Sequence, residues 1–262
     1  MPRLQALLFD VDGTLADTER DGHRVAFNRA FAERGLDWHW SVETYGRLLA
    51  VTGGKERIGQ FIATWHPVLP EGLDLDTFIA DLHRHKTHLY TQALAQGGIP
   101  LRPGVLRLLR EARLAGLKLA IVTTTTPENV TTLIEATLGQ GALDWFEVIA
   151  AGDQVAAKKP APDIYRYALG ELGLSPAACV AFEDSEVGLQ AARGAGIETV
   201  VITINDYTQD QDFTNAALVL DSLGEPAVPY RRIAGLIEVP GWLDLASVRW
   251  LHRAATQGSK WS

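Results

Sequence analysis

The chain has 262 residues and a formal charge of −8, with 47% hydrophobic and 21% charged residues, a composition that excludes disordered and fibrous proteins and leaves room for one large domain or a core with an insertion. The acidic balance, without a Lys or Arg cluster, excludes sequence-independent binding along a nucleic-acid backbone. No apolar run approaches the ~20 residues of a membrane span, the segment after Met1-Pro2-Arg3-Leu4-Gln5 is too short for a secretory signal, and the single Cys179 has no internal disulfide partner, so a cytosolic protein without membrane or nucleic-acid partners is expected.

The first predicted element is a strand over residues 4–9, Leu-Gln-Ala-Leu-Leu-Phe, which stops at Asp10, Asp12 and Gly13. The acids thus sit at a carboxyl end, where open α/β sheets bind ligands. Over 17–99 the apolar spacing turns helical: Ala26, Phe27, Ala30 and Phe31 share a face, and similar faces recur near 55–65 and 76–95, which predicts an all-helical stretch. From Pro103 helix and strand alternate: helix 104–115, strand 118–122, helix 127–138, strand 146–150, helix 162–172, strand 178–182, helix 185–194 and strand 198–202. Repeated strand–helix–strand units specify an α/β class with a parallel sheet. The first strand needs the later ones to complete a sheet, so residues 1–16 and 100–262 are expected to form a core and 17–99 an inserted helical cap. The tail with Pro226, Pro229 and Pro240 is expected to wrap the core before a last helix near 244–255.

Strand side chains alternate with period two, so Asp10 and Asp12 face one ligand if extended geometry persists past residue 9. A hard divalent cation relieves their repulsion, and Mg²⁺ takes one or two carboxylates with water and phosphate oxygens; a plain acidic turn is the bland competitor. Thr123, Thr124, Thr125 and Thr126 follow the second strand ahead of Pro127. A hydroxyl beside unpaired helix-start N–H groups suits a phosphate oxygen: Thr123 is the best-placed contact, with Thr124 and Thr125 beside it, and Thr126 reads as the helix cap. In Lys158-Lys159-Pro160-Ala161-Pro162-Asp163 a proline-stiffened turn aims Lys159. Glu183-Asp184-Ser185 ends another apolar strand with a further acidic pair for a metal and a cap at Ser185.

These four motifs, in this order and spacing, resemble the haloacid dehalogenase superfamily, whose core is a Rossmann-like sheet. The resemblance implies that Asp10 is the nucleophile, Asp12 the general acid and base, Thr123 and Lys159 the phosphate ligands, and that Asp10, Asp12 and Asp184, with Glu183, hold Mg²⁺. It implies in-line attack and an aspartyl-phosphate, with Asp12 protonating the departing oxygen and then activating water. Asp12 also separates the chain from dehalogenases proper, which have no leaving alkoxide to protonate.

Substrate choice is expected from the cap, because the core is shared by many activities. Glu19 and His23 stand four apart on a predicted helix, and Gly53-Gly54-Lys55-Glu56-Arg57 is a glycine turn opening a helix with two cations, a clamp for a second phosphate. His85-Lys86-Thr87 adds a cation near the hinge, whereas His83, His85 and His88 read as solvated. With the threonine run, Lys-Lys-Pro-Ala-Pro-Asp-Ile-Tyr, Asp-Tyr-Thr at 206–208 and Asp221-Ser-Leu-Gly-Glu-Pro226, these features resemble the CbbY branch, found beside carbon-fixation machinery. Members of that branch dephosphorylate xylulose-1,5-bisphosphate, an inhibitory by-product of Rubisco, to xylulose 5-phosphate. A monomeric Mg²⁺-dependent phosphatase of a small phosphorylated sugar is therefore expected. A phosphosugar mutase of the β-phosphoglucomutase kind is the alternative, and a binding protein on an inactive core a third reading.

Overall fold

The computed structural model describes residues 2–51, 53–70, 72, 74–152, 154–235 and 241–256. The chain separates into two compact units, Met1–Asp17 with Pro100–Ser262, and Thr18–Ile99. No described helix is long and apolar enough to cross a membrane.

The first unit is built on one sheet of β1 (Ala6–Phe9), β2 (Lys118–Val122), β3 (Val148–Ala150), β4 (Cys179–Glu183), β5 (Thr199–Thr203), β6 (Leu218–Leu220) and β7 (Arg232–Gly235), in the order β3-β2-β1-β4-β5-β6-β7. Neighbours run parallel except β6 and β7. Strand β1 is an interior strand between β2 and β4, and Ala-Leu-Leu-Phe is wholly buried, because a parallel strand covered on both faces has no polar side. Helices α5 (Val105–Leu114), α7 (Asp163–Leu172), α8 (Glu186–Gly194) and α9 (Leu245–Thr256) pack on these strands, and α6 (Pro127–Leu138) follows β2. Phe9 lies opposite both Ile121 and Phe182. Asp10, Val122 and Glu183 consequently end at one level, with Thr123 and Asp184 one residue further.

Several boundaries differ from expectation. Strand β3 begins at Val148, not at residue 146, because Ala142–Trp145 form a 3₁₀ turn closed by Phe146 N–H onto the Leu143 carbonyl, 3.0 Å. Strands β6 and β7 were not anticipated: β6 has three residues, and β7 is a largely exposed edge without apolar alternation. The tail does tie back onto the sheet unit. Leu223 N–H bonds the Pro103 carbonyl at 3.2 Å, Leu243 N–H bonds the Leu223 carbonyl at 2.8 Å, and Arg107 meets Glu225 at 3.0 Å; Pro240 lies outside the described residues.

The second unit is helical throughout its described elements: a π-helical turn (Thr18–His23) running into α1 (Arg24–Glu33), then α2 (Val42–Leu48), α3 (Gly54–Trp65) and α4 (Leu75–Ala95). Ser41 caps α2 through Thr44 N–H and Asp74 caps α4 through Thr77 N–H, each occupying an otherwise unmet donor. The two-turn α2, with only Tyr45 and Leu48 buried, is too short to register as a periodic face. The core is aromatic: buried Trp40 has ring centroids at 4.6 Å from Phe27, 4.9 Å from Phe31 and 5.4 Å from Phe61, contacts worth about 0.5–1.5 kcal/mol each beyond their burial.

The turn that delivers Trp40 is pinned by one side chain. Asn28 Oδ1 accepts from Trp40 N–H at 2.7 Å, and Asn28 Nδ2 donates to the Trp40 carbonyl at 2.9 Å. Asn28→Ala takes away the acceptor of the Trp40 N–H and leaves the Trp40 carbonyl only the longer bond from Arg24, 3.3 Å, and is expected to lower stability by about 1–3 kcal/mol; urea unfolding followed by tryptophan fluorescence measures it.

Candidate active site

The carboxyl ends of β1, β2 and β4 bring Asp10, Thr123, Glu183 and Asp184 together, and the turn before α7 adds Lys159. All five side chains are buried. Lys159 Nζ donates to Asp10 Oδ1 at 2.8 Å, to Glu183 Oε1 at 2.5 Å and to the Val122 carbonyl at 2.9 Å. Three ammonium protons thus meet three acceptors, so in this arrangement Lys159 meets a phosphate through its charge. Thr123 N–H is tied to the Ala150 carbonyl at 2.9 Å, and its Oγ1 accepts from Thr125 N–H at 3.2 Å. Thr124 is exposed, Thr125 half-buried, and Thr126 caps α6 through Asn129 N–H. Ser185 caps α8 through Gly188 N–H.

Oxygen atoms of Asp10, Glu183 and Asp184 lie within 4.8 Å of one another. Burial, followed by the charge of Asp10, pushes the Glu183 carboxyl up to about 7, against the pull of Lys159. Burial and the charges of Asp10 and Glu183 likewise raise Asp184 well above the carboxylate range. Burial lowers Lys159, but the two acids outweigh it and hold the ammonium above its ordinary value. Three hard oxygen donors this close together, their charge only partly offset by Lys159, fit a divalent metal ion.

Asp12 is not part of this carboxylate group. Strand β1 stops at Phe9 and the chain turns beyond Val11, with Thr14 and Leu15 N–H both on the Val11 carbonyl at 3.2 and 2.9 Å, while Asp12 itself bridges to Ala16. Gly13 closes the turn at φ +82°, and a Cβ there would strike the Asp184 carboxylate and Asn205 amide, so glycine is required twice over. Buried Arg102 holds the turn from the far side. It donates to the Gly13 carbonyl, to those of Thr203, Ile204 and Asp221 at 3.0, 2.6 and 2.7 Å, and stands 3.3 Å from Asp17.

Sequence reasoning missed three site residues. Tyr165 donates to Glu183 Oε1 at 2.6 Å, Asn205 Nδ2 donates to Asp184 Oδ2 at 2.7 Å, and Arg102 is described above. Asn205 was findable, since it follows β5 at a carboxyl end like the other site residues; Tyr165 lies on the apolar face of α7 and reads there as core.

In the helical unit Glu19 and Arg57 do come together. Tyr45 donates to Glu19 Oε2 at 2.5 Å, and Arg57 bonds the Tyr45 hydroxyl at 3.0 Å and the Val51 carbonyl at 3.0 Å, with Glu19 at 3.6 Å. His23 belongs to a different contact: its Nδ1 accepts from Lys86 at 2.6 Å and its ring stacks on Tyr90 at 3.8 Å. Lys86 sits mid-helix in α4 and is buried. Gly53 and Gly54 begin α3, and Lys55 is exposed, close enough to act on the charge of His83. His85, expected to be solvated, pairs with Glu33 at 2.8 Å. Cys179 opens β4 as a buried thiol that burial pushes up to about 12, an inert core residue.

The haloacid dehalogenase-like hydrolase profile matches residues 4–196. The chain belongs to that family. Within it the chain is similar to the CbbY proteins: it is 55% identical to Protein CbbY of Rhodobacter capsulatus over 213 residues, 81% of this chain and 91% of that one. It is 49% identical to the plasmid Protein CbbY of Cupriavidus necator over 257 residues, 95% and 97% of the two chains. The crystal structure of CbbY from Rhodobacter sphaeroides with phosphate superposes at TM-score 0.72 and 49% identity, covering 84% of this chain and 94% of that one. An Asp-to-Asn mutant of the same protein, in complex with xylulose-1,5-bisphosphate, gives 0.73 and 48%, covering 85% and 96%. The chain is thus an enzyme, a phosphatase of the CbbY type.

The histidines of the helical unit make its stability pH-dependent. Burial, then the charges of Lys86 and Lys55, lower half-buried His83 to about 4; burial and Lys86 hold His23 well below its ordinary value. Both are neutral when folded, whereas the unfolded chain takes up protons below about 6.5. Their contribution is therefore complete above that pH and lost as pH falls toward 4. His83→Gln is expected to shrink the drop in melting temperature between pH 7 and pH 5, measured by thermal unfolding of parent and variant in the same buffers.

Proposed function

We propose that the chain is a Mg²⁺-dependent phosphatase of a small sugar bisphosphate, xylulose-1,5-bisphosphate above others, releasing xylulose 5-phosphate in the cytosol. The reading is carried by Asp10, a buried carboxylate at the end of β1 whose Oδ1 is 2.8 Å from Lys159 Nζ. It is supported by the bisphosphate complex of the Rhodobacter sphaeroides relative.

One Asp10 oxygen holds Lys159, and the other attacks phosphorus in line with the departing sugar oxygen. As the new P–O bond forms and the ester bond breaks, Asp12 gives its proton to that oxygen. Water then attacks the aspartyl-phosphate, Asp12 takes a proton from it, and Asp10 is regenerated. The Thr123 hydroxyl, the α6 start at Thr124 and Thr125, and the charge of Lys159 stabilise the phosphoryl oxygens. Asp10, Asp184 and Glu183 are the residues that would hold Mg²⁺, which when bound offsets their charge and polarises the phosphoryl group. Asp12 belongs to proton transfer. The helical unit, as a cap, selects the substrate: Arg57, oriented by Tyr45 and Glu19, with Lys55 and the Gly53-Gly54 start of α3, takes the second phosphate, and His23 a sugar oxygen.

A panel of sugar mono- and bisphosphates assayed with Mg²⁺ and with chelator tests this. Phosphate release that is Mg²⁺-dependent and fastest on xylulose-1,5-bisphosphate is expected; isomerised sugar phosphate without net release would replace the reading with a mutase. Asp10→Asn is expected to fold normally and lose roughly 10⁴-fold or more in kcat. Arg57→Ala removes a charged contact and is expected to raise KM for the bisphosphate roughly 10- to 100-fold, with turnover of small monophosphates unchanged.

A further inference from the structure

Lys159 is oriented by three acceptors, and one of them is itself held by a second donor. Glu183 Oε1 receives Lys159 Nζ at 2.5 Å and the Tyr165 hydroxyl at 2.6 Å. Tyr165 is wholly buried on α7, the helix that follows the turn carrying Lys159, and its ring lies 5.3 Å from Nζ. The other carboxylate oxygen, Oε2, is buried and meets no donor among the described residues. It packs on Gly188, where a Cβ would overlap the carboxylate. A side chain serving only to fill the core between α7 and the sheet needs no hydroxyl, since phenylalanine fills the same volume. A hydroxyl delivered to the single oxygen that also receives Lys159 has a directional task instead.

We propose that Tyr165 is a positioning residue of the reaction: its hydroxyl fixes Glu183, and Glu183, with Asp10 and the Val122 carbonyl, fixes Lys159 against the attacking carboxylate. With the hydroxyl removed, Lys159 becomes the sole donor to Glu183. The ammonium is then drawn toward that acid, at the expense of its bond to Asp10.

The inference rests on the phosphatase reading of the site, and the experiment keeps the two apart. Wild type, Tyr165→Phe, Glu183→Gln and the double variant are compared for turnover of p-nitrophenyl phosphate with Mg²⁺, for affinity toward inorganic phosphate by calorimetry, and for melting temperature. Tyr165→Phe keeps the ring and its packing. It is expected to lower kcat about tenfold or more, as the loss of a hydrogen bond to a charged group does, to weaken phosphate binding, and to leave the melting temperature nearly unchanged. Added to Glu183→Gln, it is expected to cost nothing further, because its effect passes through Glu183. Unchanged kcat in Tyr165→Phe, or an equal loss in both backgrounds, overturns the proposal. Wild type without turnover of any phosphate ester overturns the phosphatase reading, and Tyr165 is then decided on phosphate affinity alone: equal affinity in wild type and Tyr165→Phe overturns it.

Discussion

Three buried carboxylates and one buried ammonium are the constraint around which the sheet unit is arranged. Asp10, Glu183 and Asp184 repel one another in a place with little water, and Lys159, touching the first two at 2.8 and 2.5 Å, is what makes that cluster tolerable. A buried pair of this kind is poor value for stability, and breaking it by removing one partner is worse, because a charge is then left buried alone. The arrangement makes sense as a site under electrostatic tension, held in readiness for a ligand that carries both positive charge and phosphate. Parallel pairing is what permits it: with Phe9, Ile121 and Phe182 in register, each strand delivers its last side chain to the same level.

The legible part of this site was the part that obeys a strand-end rule. Asp10, Thr123, Glu183 and Asp184 each follow an apolar run and precede a helix or turn, and Lys159 stands before prolines that restrict it. Asp12 stands one step beyond that rule, in the turn that follows Val11 and outside the group of three carboxylates. Tyr165 and Arg102 were illegible for another reason. Each owes its role to atoms far away in sequence, Glu183 for one and the carbonyls of Gly13, Thr203, Ile204 and Asp221 for the other, and no local pattern marks a residue that acts by convergence. Among the elements, α2 and β6 were too short for periodicity to emerge, and β7 is an exposed edge paired only to β6.

The helical unit uses its charges differently. Arg57 is held by a tyrosine hydroxyl, a carbonyl and a glutamate, so its guanidinium is oriented in advance. Lys86 donates to a histidine ring nitrogen and lies over the faces of Phe27 and Tyr90, 4.8 and 4.9 Å from their centroids, a setting that keeps His23 neutral and makes its Nε2 the proton-bearing nitrogen.

The interior position of β1, between β2 and β4, also governs how this chain must come into being. On the ribosome Ala6–Phe9 is made first, yet both strands that flank it, Lys118–Val122 and Cys179–Glu183, emerge long afterwards. Thr18–Ile99 is contiguous and can collapse on its own aromatic cluster meanwhile. The nascent sheet unit, by contrast, carries an unpaired apolar strand until Lys118–Val122 has been translated, and long-range pairing of this kind is slow. Until then that apolar segment is open to association with other unpaired strands.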